Sequence, residues 1–114
     1  MSYSVKEAAD ELMLETEDLE DILAAFLEDA PKALEEGRAA LKSGELGNFS
    51  RAMHSLKGSA LNLRMKNLGA IATRAEKCDA IPLSILQEML EQIQIELTAV
   101  ETSCNSFYRK PERG

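Results

Sequence analysis

Apolar residues recur at three- and four-residue intervals along most of the chain, and a few polar or glycine-bearing stretches interrupt them. SVKE at residues 4–7 fits a capping box, with Ser4 as N-cap and Glu7 three positions on, so a short helix is predicted from there to about Leu14. TEDLED at 16–21 opens a second helix, with Thr16 as its cap and acids in the electropositive first turn. Leu19, Ile22, Leu23, Phe26, Leu27, Ala30, Leu34 and Leu41 keep its period. Pro31 falls inside this run, and its missing amide hydrogen predicts a kink near Phe26–Leu27 and not an end. KSGELGN at 42–48 is the clearest break. A third helix is predicted from about Phe49 to Leu63. A fourth follows from about Lys66 to Asp79, with Leu68, Ile71, Ala72 and Ala75 inward. Pro82 opens the last helix, where Leu83, Leu86, Leu90, Ile93, Leu97 and Val100 form the stripe. The tail YRKPERG, from Tyr108, is polar and predicted to fray.

Four main amphipathic helices with short connections predict an all-α fold. The expected architecture is an antiparallel four-helix bundle, up-down-up-down, with the short N-terminal helix as a cap. The 114 residues suffice for one domain, read as residues 1–108 with 109–114 a disordered tail. Hydrophobic residues make up 45% and aromatics only 4%, so the core is built of Leu, Ile, Ala and Met, where a strand-rich domain would carry more aromatic and β-branched residues.

A formal net charge of -7 argues against nucleic acid and against an anionic membrane surface as partners. Cys78 and Cys104 are far apart, and with a single histidine in the chain they supply neither a disulfide framework nor a zinc site. No stretch reaches the roughly 20 apolar residues of a membrane span. The N-terminus is acidic where a secretory leader is basic and then apolar. A cytoplasmic monomer with no cofactor or metal of its own is expected.

The single histidine, His54, stands in AMHSLKGSA at 52–60. On a helical wheel Phe49, Ala52, Met53, Leu56, Ala60 and Leu63 form one side, which must be the core. His54 lies opposite, among Ser50, Arg51, Lys57, Gly58 and Leu61. A mid-helix glycine costs about 0.5–1 kcal/mol relative to alanine. Placed one turn beyond His54, Gly58 leaves a notch through which another protein reaches the ring. Lys57 sets an ammonium within reach of any group attached there, and Leu61 offers an apolar docking contact, with Ser50 and Arg51 beside it. The other parts of an enzyme are missing: no Ser/His/Asp or Cys/His set can be assembled, and no GxxxxGK[ST] loop would hold ATP. An exposed nucleophile without a pocket points to a carrier between proteins.

AMHSLKGSALNL resembles the signature of histidine-containing phosphotransfer (HPt) domains in His54, Leu56, Lys57, Gly58 and Ser59. The similarity extends over roughly residues 19–100, including LGAIATRAEKC, where the family often carries a glutamate after the apolar run, here Glu76. The family often has glycine about ten residues after the histidine; this chain has Arg64. The resemblance implies that His54 accepts a phosphoryl group from a receiver-domain aspartate and passes it to another receiver. Lys57 would stabilise its charge, and Mg²⁺ would sit on the receiver. It implies response-regulator receivers and a sensor or hybrid histidine kinase as partners. Two alternatives stay open: the N-terminal phosphoacceptor domain of a chemotaxis-type histidine kinase, and a receiver-binding module in which His54 is never phosphorylated.

Overall fold

The computed structural model describes residues 3–109, all of whose regular elements are helical. In chain order these are α1 (Val5–Leu12), α2 (Thr16–Ser43), α3 (Leu46–Asn62), α4 (Lys66–Glu76) and α5 (Leu83–Tyr108), with a single 3-10 turn at Cys78–Ala80 before α5.

The helix ends follow from local chemistry. The Ser4 hydroxyl accepts from the Glu7 amide at 3.1 Å, the predicted cap of α1. The helix stops two residues before the predicted Leu14 because Met13 turns into the left-handed region at φ 59 and its amide bonds back to Ala9 and Asp10. Thr16 does not cap α2 but is its first helical residue; Glu15 stands at the N-cap, and its carbonyl accepts from the Leu19 amide at 3.1 Å. α2 runs unbroken through Pro31 and ends at Gly44, whose φ of 72 a glycine adopts without a Cβ penalty. α3 then starts at Leu46, three residues before the predicted Phe49. Asn48 donates to the Glu45 carboxylate at 2.8 Å and the Phe49 amide to the Glu45 carbonyl at 3.1 Å, so the first turn closes early. α4 ends at Glu76, not Asp79, where the chain tightens into the 3-10 turn. Pro82 directly precedes α5, which lacks nothing by the proline's missing amide hydrogen.

α2 packs on α3 and α5, and α4 packs on the same two helices from the other side, so the four enclose one core; α1 lies against α2 and α5. Leu19, Leu23, Leu34, Phe49, Met53, Leu56, Leu68, Leu86 and Ile93 are its largest fully buried side chains. Gly37 lets α3 come close: a Cβ there would stand 3.1 Å from Met53 Cε. Two expected core positions are not in the core. Ile22 is 45% exposed and Leu83, on the first turn of α5 before its neighbours overlap it, is 54% exposed. Leu27 and Ile71 are only partly buried. Tyr108, placed by the sequence in a frayed tail, is the last residue of α5, and its hydroxyl donates to the Thr16 carbonyl at 2.7 Å. Residues 110–114 of the predicted tail lie outside the described residues. Among the described residues no helix is long and apolar enough to cross a membrane.

Candidate functional site

α3 turns Phe49, Ala52, Met53, Leu56 and Ala60 into the core, which sets its opposite face toward solvent. The imidazole of His54 is on that face, with 67% of its side chain exposed. One edge of the face meets the end of α4, and the meeting point is Glu76, the last residue of that helix. The His54 Nδ1 lies 2.8 Å from Glu76 Oε2. Lys57 Nζ donates to Glu76 Oε1 at 2.6 Å. The Ser50 hydroxyl donates to the Glu76 backbone carbonyl at 3.0 Å. Spacings of four and three residues put Ser50, His54 and Lys57 on one helical edge, and all three are tied to a residue twenty-two positions beyond the histidine.

The electrostatics follow from those bonds. The Lys57 ammonium, and then the His54 ring, hold the Glu76 carboxyl below the usual carboxylate range. Glu76 is therefore an anion at neutral pH, and an anionic carboxylate only accepts hydrogen bonds. The proton on the neutral imidazole consequently resides on Nδ1, which leaves the Nε2 lone pair free on the solvent side. A free imidazole shares its proton between both nitrogens; the anionic carboxylate at Nδ1 favours the tautomer that leaves Nε2 as the acceptor atom.

The neighbours divide into open and engaged positions. Beyond its chain neighbours and its own helix backbone, a Cβ at Gly58 would meet nothing within 4 Å, so the notch beside His54 is unfilled. Leu61 is 43% exposed, as expected for a residue of that face, but its side chain also lies across Gly69 of α4. A Cβ at Gly69 would come within 2.3 Å of Leu61 Cδ2, so the glycine is what seats this leucine. Arg51 is exposed and its guanidinium donates to the Asn48 side chain. Ser50 is not a free contact on the open face: it is partly buried and committed to Glu76. Lys57 is likewise not a solitary cation, because its ammonium is shared with Glu76.

Arg64 stands at the α3–α4 turn with φ 65, the left-handed conformation that glycine adopts most readily. Its guanidinium Nε sits 3.1 Å from Glu11 of α1, and Tyr3 donates to the Leu63 carbonyl at 2.9 Å, so α1 braces this turn from outside.

Fold and site together define a class: an all-helical bundle presenting one tautomerically fixed histidine on an open helix face. Residues 21–103 match the Hpt domain. The chain belongs to the Hpt domain family, whose members are phosphocarrier modules of phosphorelays and interact there with receiver domains and kinases. No curated protein and no solved structure matches the chain.

Proposed function

We propose that His54 is the phosphoacceptor of a two-component phosphorelay, taking a phosphoryl group from a receiver-domain aspartate and passing it to a second receiver. The observation that carries this is the 2.8 Å contact between Nδ1 and the Glu76 carboxylate on a ring whose side chain is 67% exposed; with Nδ1 as the donor, Nε2 is the atom that keeps a lone pair. In the transfer the P–O bond of the aspartyl phosphate breaks and an Nε2–P bond forms. The aspartate leaves as carboxylate, and Nδ1 keeps its proton, so the phosphorylated ring is a cation facing Glu76. Lys57, one turn away, shifts between Glu76 and the incoming phosphoryl oxygens. Mg²⁺ on the receiver supplies the remaining charge neutralisation. Gly58 gives the partner's backbone clearance, and Arg51 and Leu61 flank the contact.

The same reading takes the chain as a single domain over residues 1–108, in the cytoplasm and monomeric. Its four long helices alternate in direction, which the two-residue link between α2 and α3 and the three-residue link between α3 and α4 favour.

The test is transfer from a ³²P-labelled receiver. The protein should gain a phosphate that is acid-labile and alkali-stable, and His54→Gln should gain none. Equal labelling of the variant would refute the assignment. Labelling only by an ATP-loaded kinase catalytic domain, and by no receiver, would replace the relay with the chemotaxis-type reading.

A further inference from the structure

Charge is divided unevenly along this chain. Residues 46–78, which hold α3, α4 and the turn between them, carry six basic residues and one acidic, a net +5. The remainder carries seven basic and nineteen acidic residues, a net −12. Glu45 and Asp79 bracket the basic segment in sequence, and its two ends meet where the Cys78 thiol reaches the Leu46 carbonyl. The chain's overall acidity therefore hides a basic segment, and it is the segment that bears His54.

Not all of that charge is free. Lys57 is neutralised by Glu76, and Arg64 and Lys66 both face Glu11. Arg51, Arg74 and Lys77 are exposed and make no ion pair among the described residues. Arg51 is three residues before His54, on the α2 side of α3 where Glu36 and Glu45 line the same groove without pairing with it, and Lys77 directly follows the glutamate that touches the ring. We infer that the α3–α4 face docks a protein surface of net negative charge, with Arg51 and Lys77 as the free cations that steer it to His54. This rests on the relay reading and adds to it the electrical character of the partner. The mechanism is two-sided. The cationic face attracts an acidic partner, while α1, α2 and α5 repel it, so encounters through the wrong side of the bundle are suppressed. A nucleic acid is also anionic, but it presents its charge over a length that would bring the acidic helices into its field.

The experiment uses the full chain and two phosphorylated receiver domains, one acidic and one basic around its aspartyl phosphate. Stopped-flow transfer from the acidic receiver should slow about tenfold between 50 and 300 mM NaCl, as a steered encounter does. Arg51→Glu/Lys77→Glu should slow it about tenfold at 50 mM, with unchanged helicity by circular dichroism and little further effect at 300 mM. Lys32→Glu, an exposed change of the same sign on α2, should leave it unaltered. Transfer that is insensitive to salt and to the double variant, or faster with the basic receiver, overturns the inference while labelled His54 keeps the relay. A His54 that takes label from neither receiver overturns both. Retention of an oligonucleotide by the wild type at 50 mM salt, lost in the double variant, would assign the face to nucleic acid instead.

Discussion

His54 and Glu76 are joined across two helices by a 2.8 Å contact between Nδ1 and Oε2, and the same carboxylate holds Lys57 through its other oxygen. One acid thus fixes both the tautomer of the ring and the resting place of the nearby cation.

Replacing that acid should be visible at the ring itself. In Glu76→Ala the neutral imidazole loses its reason to carry the proton on Nδ1, and two-bond ¹H–¹⁵N spectra should show the protonated nitrogen change toward Nε2. Transfer onto the ring should slow about tenfold, since one charge-assisted hydrogen bond is lost. A ring that keeps its Nδ1–H tautomer in the variant would show that Glu76 does not set it.

The acid's own titration has a defined sign. Its folded-state pKa is lowered from 4.5, first by Lys57 and then by His54. The stabilisation from the cluster is therefore complete above that unfolded value and is lost as pH falls through the lower folded one. A carboxyl ¹³C titration of Glu76 should give a midpoint below 4.5, and Lys57→Ala should raise it. A midpoint that ignores the lysine would show the pairing to be absent in solution.

The two glycines near the site should respond oppositely to alanine. Gly58→Ala meets open space, so helix propensity should stabilise the fold by about 0.5–1 kcal/mol in urea unfolding. Transfer from a receiver should nevertheless fall, because the added methyl occupies the clearance through which the partner approaches the ring. Gly69→Ala collides with Leu61 and should destabilise by about 1–2 kcal/mol, with Leu61 methyl resonances displaced.

Arg64 should distinguish side chains by their tolerance of positive φ. Arg64→Val should be less stable than Arg64→Gly by about 1–2 kcal/mol, because a β-branched residue resists the left-handed region. Equal stabilities of the two would mean that the turn relaxes to another conformation.

The sequence carried the orientation of α3 because a single helix obeys one period: Phe49, Ala52, Met53, Leu56 and Ala60 are buried, and His54 opposite them is exposed. It could not carry Ser50's bond to Glu76 or the pairing of Lys57, since both depend on how α4 is rotated against α3, and a wheel of one helix contains no neighbour. Glu76 stood out only through the resemblance; its contacts come from tertiary packing. Leu83 failed for a related reason. It keeps the period of α5 but projects from the helix's first turn, where there is nothing to cover it. Tyr108 read as tail because its polar neighbours outweighed one hydroxyl bond to a residue ninety-two positions away.

The carboxylate that orients the ring arrives from a different helix, and that has a consequence for fidelity. Before the α3–α4 hairpin closes, His54 has the tautomer mixture of any free imidazole; afterwards it offers a single acceptor atom. On the relay reading, full competence to receive a signal is then acquired together with the native packing, and an incompletely folded copy takes phosphate more slowly and at either nitrogen.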